Sequence, residues 1–439
     1  MRTFIYTFGC KVNQVESEKI VNEFKDYNLT SVDTANEADL LIFNTCAVTE
    51  RAENKFHSMV RKARGANPDV IIAVTGCAAE KDKDKLKALG ADIVVTNSGK
   101  MDILEHIVKK TDHLDSIFES KGFLEADNIS MATRTRAFVK IQDGCDSNCA
   151  YCIIPSLRGL PVSRASEAVI AEVKTLVKAG YKEIVPVGIH VGKYGQDLKE
   201  EIDLPHLIEK IIAIEGDFRV RLTSIELNEL TDRMIQMLAE NTEKICRHYH
   251  IPLQSGSSHT LSMMNRKYTA EEYITKLNRL KELVPGCLLG ADVIVGFPGE
   301  TDDHFAETLD TLKKSGLEHL HVFSYSDRSG TKASEMSDKV SGKVKSERAK
   351  KLRAFAENVK FHAAEQCVDK IYKVLTQKDN TGITDNYFTV RFKEDVEPGS
   401  FLDVLITNAY KDGSLKGDIL DAGKDISDRR SGSGSDRSC

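Results

Sequence analysis

The sequence predicts an α/β protein in three parts: an open parallel α/β sheet, a partial barrel of six βα units, and a small antiparallel, OB-like β-barrel. Three observations carry this. To about residue 125, short runs apolar on both faces alternate with helical stretches, as buried parallel strands and their crossover helices do. Strand candidates then recur at intervals of roughly 30 to 40 residues with helical segments between them, which is βα spacing. From about residue 366, short strands follow one another with turn residues and no helices between them.

In the first part the strand candidates are 3–8, 39–44, 70–75 and 92–96. Lys19 to Tyr27 and Ala52 to Arg64 read as crossover helices. A charged, helical connector over about 100–132 leads to the second part. Its strands are predicted at Ala137–Gln142, Glu183–Val187, Arg219–Ile225, His248–Leu253, Ala291–Val295 and His319–Tyr325. Six units fall short of the eight of a closed barrel. The third part has strands at Lys370–Gln377, Tyr387–Phe392, Phe401–Thr407 and Lys416–Leu420, with turns at Asn380-Thr381-Gly382 and Glu397-Pro398-Gly399. Such a barrel is a common RNA platform, and equally a capping domain. Residues 422–439 are rich in Ser, Gly and Arg and read as a disordered tail. The expected boundaries are 1–125, 131–365, 366–421 and 422–439.

With 41% hydrophobic and 29% charged residues among 439, the composition is that of a globular protein. No apolar run approaches the ~18 residues of a membrane span, and the chain opens directly on a strand, so a cytoplasmic protein with no membrane partner is expected. A net charge of −6 argues against nonspecific coating of nucleic acid but allows a local basic face. Two stretches offer one. Residues 51–64 carry Arg51, Lys55, Arg61, Lys62 and Arg64 against Glu53, and residues 343–353 carry six basic residues, among them Lys345, Arg348 and Lys351, against Glu347. Each is a candidate phosphate contact or simply a solvated helix face.

The chemistry lies in the cysteines. Cys145, Cys149 and Cys152 form a C-x₃-C-x₂-C triplet. Three thiolates so close can hold three irons of a 4Fe–4S cubane and leave the fourth open for a small molecule. Zinc normally takes a second C-x₂₋₄-C knuckle, which the chain lacks, and disulfides need an oxidising compartment. Zinc and inert packing remain the alternatives. Cys10, Cys46 and Cys77 each fall one to three residues beyond a different strand, where open parallel sheets bind ligands, so they should converge at one sheet edge. Burial as small hydrophobes is the competing reading. Cys246, Cys287 and Cys367 read as packing, and Cys439 as a free tail thiol. His248 and His250 read as ordinary strand histidines.

The cysteine triplet with Tyr151 before its last member resembles the radical S-adenosylmethionine (SAM) signature. The whole chain to about residue 421 resembles the radical SAM methylthiotransferases. The strings that carry the likeness include Gly9-Cys10-Lys11-Val12-Asn13-Gln14, Asn44-Thr45-Cys46-Ala47-Val48-Thr49, Thr75-Gly76-Cys77-Ala78, Lys140-Ile141-Gln142-Asp143-Gly144-Cys145, Ile251-Pro252-Leu253-Gln254-Ser255-Gly256, Asp292 through Glu300 and His321 through Ser326. The resemblance implies two 4Fe–4S clusters. The one on Cys145, Cys149 and Cys152 would cleave SAM to methionine and a 5′-deoxyadenosyl radical; the other, on Cys10, Cys46 and Cys77, would present sulfur. Two SAM would be used per turnover. The C-terminal barrel would be a TRAM domain. Implied SAM or substrate contacts are Tyr151, Glu226, Gln254, Ser255, Asp292 and Gly296. Residue by residue the alternatives are a salt-bridged carboxylate for Glu226, helix capping for Gln254 and Ser255, and turn geometry for Gly296.

Gly-Cys-Lys-Val-Asn-Gln is similar to the branch acting on N6-threonylcarbamoyladenosine of tRNA. The isopentenyladenosine branch more often shows Gly-Cys-Gln-Met-Asn, and the ribosomal-protein branch Gly-Cys-x-Lys-Asn. Implied partners are a tRNA anticodon arm, a flavodoxin- or ferredoxin-type electron donor and a sulfur source, with the chain a monomer. Methylthiolation of isopentenyladenosine in tRNA, methylthiolation of a ribosomal-protein aspartate and a non-catalytic RNA-binding redox sensor are the other readings. Pro186-Val187-Gly188 departs from the family's Leu-Thr-Gly, and Leu227 stands where proline is common. The first change removes an N–H and a hydroxyl near the expected SAM amine.

Overall fold

A computed structural model describes residues 1–119, 123 and 135–420. The tail and residues 120–122 and 124–132 of the connector therefore lie outside the described residues. The chain divides into two compact units, Met1–Ala356 and Glu357–Cys439.

The first unit begins with a parallel sheet of β1 (Arg2–Thr7), β2 (Thr30–Ser31), β3 (Leu40–Thr45), β4 (Ile71–Gly76) and β5 (Ile93–Val95), in the order β2-β1-β3-β4-β5. Every residue of β3 is buried, which is why it reads as a continuous apolar run. Helix α1 spans Lys11–Asn22, with a 3₁₀ turn at Phe24–Tyr27, so the helix starts eight residues earlier than the sequence predicts. Its buried face includes Asn13, Glu16 and Ser17 beside Val12, Val15 and Ile20. Inward polar residues blur the apolar period. Helix α2 (Glu50–Ala66) is capped by the Thr49 side chain, which accepts from the Ala52 N–H.

Six parallel strands follow in two groups of three. β6 (Ala137–Lys140), β9 (Glu183–Val187) and β10 (Arg219–Val220) run in the order β10-β9-β6, with a small hairpin of β7 (Gln142–Asp143) and β8 (Val162–Ser163) inserted between β6 and β9 in sequence. β11 (His248–His250), β12 (Leu288–Val295) and β13 (His319–Ser324) form the other group. Parallel bridges Val220–Ile245 and Ser224–His250 join the groups into one partial barrel. β10 and β11 are far shorter than predicted. β10 stops opposite Ile184, so when β9 reaches Pro186 no strand N–H or carbonyl faces the missing donor. The Thr223 hydroxyl donates to the Pro186 carbonyl instead, at 3.2 Å.

The second unit is a closed five-stranded barrel, β14 (Ile371–Gln377), β15 (Thr381–Ile383), β16 (Thr389–Arg391), β17 (Phe401–Ala409) and β18 (Leu415–Ile419), in the order β14-β15-β16-β18-β17. β15 occupies a segment that reads as a turn. Gly382 is the reason: a Cβ there would lie 2.4 Å from Val374 Cγ1, so packing demands the residue that looks like a turn signal. Among the described residues no helix is long and apolar enough to cross a membrane.

Candidate active site

β1, β3 and β4 are adjacent and parallel, so their carboxyl ends lie side by side. Cys10 stands three residues past β1, Cys46 directly follows β3, and Cys77 opens a short helix directly after β4. Gly9 has φ +93°, and a Cβ on it would sit 2.7 Å from Cys46 Cβ and 2.9 Å from its Sγ. Only glycine lets the Cys10 loop come this close to Cys46. Cys46 and Cys77 are buried and Cys10 is exposed. Burial pushes the Cys46 thiol up to about 11, and the neighbouring Cys77 and Cys10 sulfurs push in the same direction. The Val48 N–H points at Cys46 Sγ from 3.5 Å.

Across from this edge, β7 ends at Asp143 and Gly144 (φ +72°) turns the chain so tightly that a Cβ would fall 2.0 Å from the Leu160 carbonyl oxygen. Cys145 follows. Its Sγ lies 3.3 Å from His190 Nδ1 and accepts from the Ser147 N–H at 3.4 Å. Burial raises the Cys145 thiol, but His190 and Ser147 outweigh it and leave it below the ordinary cysteine value. His190 is itself held by Glu229. Arg266 donates to Cys149 Sγ at 3.4 Å and pairs with Glu226. Cys152 is pushed up to about 12 by burial and then by Cys149 and Cys145. Burial and the neighbouring sulfurs thus favour the thiol at Cys46 and Cys152, His190 and Ser147 favour the thiolate at Cys145, and each triplet is supplied with N–H donors.

Cys152 opens on a cavity of about 230 Å³ that the segment after Cys46 also lines. Val48 and Thr49 line it from the Cys46 side, and Tyr151, Cys152 and Ile153 from the other triplet. Gln254, Asp292 and Ile294 form further wall, and Phe323 to Ser326 the rest. Of the residues expected to contact SAM or substrate, Tyr151, Gln254 and Asp292 are therefore at the cavity. The other three are placed by other demands. Glu226 is salt-bridged to Arg266. Ser255 is buried with its hydroxyl against Thr308 and the Ser257 N–H. Gly296 has φ +74°, and a Cβ there would strike Lys345 Cγ at 2.1 Å.

His250 does more than fill a strand. Its Nδ1 meets the Ser224 hydroxyl at 2.8 Å, its Nε2 lies 3.2 Å from Asp292 Oδ1, and His321 joins them in one polar cluster. The strand register accounts for this, since Asp292 pairs with His321 across β12 and β13. Sequence reasoning passed over His190, Arg266 and Glu229; only the strand-end position of His190, two residues past Gly188, hinted at a site.

The basic candidates separate. Lys55, Arg61 and Lys351 are exposed. Arg348 is not. It is 7% exposed and bound to Glu300 at 2.6 Å and Asp302 at 2.7 Å, so the solvent-facing placement expected for it is corrected. Lys345 lies over Gly296 with its ammonium 3.4 Å from the Tyr325 carbonyl. Val187 and Leu227 are each 1% exposed and pack as core.

Residues 2–96 match the model of an uncharacterized protein family, UPF0004, and residues 139–312 that of the radical SAM superfamily. The chain is 40% identical over 404 residues to the threonylcarbamoyladenosine tRNA methylthiotransferase MtaB of Bacillus subtilis, covering 88% of this chain and 89% of that one. It is 33% identical over 452 residues to the tRNA-2-methylthio-N(6)-dimethylallyladenosine synthase of Acetivibrio thermocellus, covering 94% and 90%. The chain belongs to the radical SAM methylthiotransferase family. Among solved structures, the radical SAM methyltransferase TsrM of Kitasatospora setae aligns with TM-score 0.56 over 76% of each chain at 12% identity, a likeness of fold.

This methylthiotransferase is thus an enzyme whose superfamily uses a 4Fe–4S cluster and SAM. The donor set at Cys145, Cys149 and Cys152 fits a cluster. A backbone amide donates to Cys145 and an arginine to Cys149, and the Asp146 carboxylate and His190 lie within 4.8 Å of the Cys145 sulfur.

Proposed function

We propose that this methylthiotransferase replaces the C2 hydrogen of N6-threonylcarbamoyladenosine at tRNA position 37 with a methylthio group. It would do so with two 4Fe–4S clusters and two SAM per turnover. Cys145, Cys149 and Cys152 would hold the radical-generating cluster, and Cys10, Cys46 and Cys77 the sulfur-presenting one. The observation that supports this is one cavity lined by Cys152 and by Val48 and Thr49, two and three residues past Cys46.

An aromatic C–H is too weakly acidic for any side-chain base. When bound, the clusters and SAM supply a primary carbon radical able to break that bond and a sulfur to replace it. The chain's own residues bind and orient. Tyr151 and Phe323 offer aromatic faces to a base flipped from its stack. Thr49, Gln254, Ser324 and Ser326 supply hydrogen-bonding groups for its edges. Arg266, fixed by Glu226, and His190, fixed by Glu229, aim donors at the sulfurs of Cys149 and Cys145. Residues 1–125 would form the sulfur-presenting domain, 131–365 the radical SAM core and 366–421 a TRAM domain for the anticodon arm. A flavodoxin or ferredoxin would supply electrons to a monomeric enzyme in the cytoplasm.

The substrate assignment rests on the Gly9-to-Gln14 string and the MtaB relative. Mass spectrometry of tRNA nucleosides from a deletion strain tests it. The 2-methylthio form of N6-threonylcarbamoyladenosine should vanish and its precursor accumulate. Loss of the 2-methylthio-isopentenyladenosine signal instead would move the enzyme to that branch.

A further inference from the structure

Five charged side chains are buried together beside Cys10 and Cys77. Glu16 comes from α1 and Lys100 from the turn after β5. Lys140 comes from β6, Asp143 from β7, and Arg158 from the last position of the short helix Ile154–Arg158 that follows Cys152. Glu16 receives Lys100 at 2.7 Å, Arg158 at 2.8 Å and Lys140 at 3.1 Å. Asp143 receives Lys140 at 2.7 Å and Arg158 at 3.0 Å. Four of the side chains are at most 2% exposed, and Asp143 is 13% exposed.

Among the described residues three cations face two carboxylates, so with all five ionised the network carries one net positive charge. Removing an uncompensated charge from water is expensive, and an anion belongs beside it. The network reaches towards sulfur. The Arg158 guanidinium also donates to Asn13, whose Oδ1 lies 3.9 Å from Cys10 Sγ. Burial pulls Arg158 down, but Asp143, Glu16, Cys77 and Cys10, in that order, hold it well above the ordinary value. Burial lowers Lys100, and Glu16 and Cys77 oppose this. An oxidised cubane core with two positive charges on three thiolates carries one net negative charge.

We infer that this network is the counter-charge of a cluster on Cys10, Cys46 and Cys77, and that Arg158, delivered by the short helix that follows the other cysteine triplet, is the positioning residue that completes it. The inference rests on the two-cluster reading above. It gives Arg158 a second consequence. A positive charge beside a cluster favours the reduced, more negative state, so the network sets the reduction potential of the sulfur-presenting centre.

The test uses the full-length chain, anaerobically reconstituted, with Cys145, Cys149 and Cys152 replaced by Ala so that one cluster reports. Iron content and an EPR-monitored redox titration are read for the parent, Arg158→Lys, Arg158→Met and Arg158→Met/Glu16→Gln. Arg158→Met brings the network to zero, whereas the double variant removes one charge of each sign and restores the net positive charge. The midpoint should move to more negative potential in Arg158→Met and stay near the parent in the other two. A potential unmoved in Arg158→Met, or moved equally in the double variant, overturns the counter-charge. So does loss of iron from both Arg158→Met and the double variant, because Arg158 would then be needed whatever the net charge. Loss of iron from Arg158→Met alone, with the double variant loaded, supports it. A parent that binds no iron overturns the two-cluster reading itself.

Discussion

Arg348→Met should cost the fold about 3–5 kcal/mol, the usual loss when one partner of a buried ion pair is removed. Arg348 bonds Glu300 at 2.6 Å through the carboxylate and 3.1 Å through the carbonyl, and Asp302 at 2.7 Å. Asp302 is 94% exposed, so that pair contributes about 0–1 kcal/mol. Glu300 is only 2% exposed, and burial raises its pKa even with Arg348 present. Stripped of the guanidinium, it keeps one donor, the Gly296 N–H at 2.8 Å. Nearly all of the loss is therefore the stranded Glu300 carboxylate. Urea unfolding with linear extrapolation measures it. Arg348→Met/Glu300→Gln should recover most of the loss, and the exposed Lys350→Met should stay within about 0.5 kcal/mol. A loss below about 1 kcal/mol for Arg348→Met, or no recovery in the double variant, would refute the reasoning.

Reductive SAM cleavage should be abolished in Cys145→Ala and retained in Cys46→Ala, which should nonetheless make no methylthiolated product; a Cys46→Ala enzyme that methylthiolates at the wild-type rate refutes the division of labour. Lys55→Glu/Arg61→Glu/Lys351→Glu should weaken tRNA binding and flatten its salt dependence without lowering iron content, because these side chains are exposed; unchanged affinity makes them a solvated face. Glu183 is buried, but Arg221, Arg219 and Arg136 overcome the burial and hold its carboxyl far below the ordinary range. Its contribution is full above the unfolded pKa near ~4.3 and is lost as pH falls below that towards the folded value. Urea midpoints of the cluster-free chain should thus fall below about pH 4.3 less steeply in Glu183→Gln than in wild type, and equal slopes would refute this assignment.

Much of the molecule was legible in the chain because it is local. Buried parallel strands such as β3 and β4 are continuous apolar runs, and a cysteine just past such a strand is already at a binding edge. The C-x₃-C-x₂-C spacing needs no fold to be read. Errors of element came where a side chain answers to distant partners. Glu16 and Asn13 hid the start of α1 because their partners, Arg158 and Lys100, lie 142 and 84 residues away along the chain for Glu16. Gly382 looked like a turn until Val374 was seen against it.

The sequence by itself determined the fold class, the two cysteine triplets and the family, since these depend on period, spacing and short strings. Only the tertiary structure decided which polar residues meet. It put Tyr151, Gln254 and Asp292 on the cavity and tied Glu226 to Arg266. It buried Arg348 against Glu300 and Asp302 while leaving Lys351, three residues on and over the same Phe305 ring, in water. It also gathered Glu16, Lys100, Lys140, Asp143 and Arg158 from five elements into one charge network. Pairing of buried charges is a property of three-dimensional proximity, and no pattern along a chain encodes it.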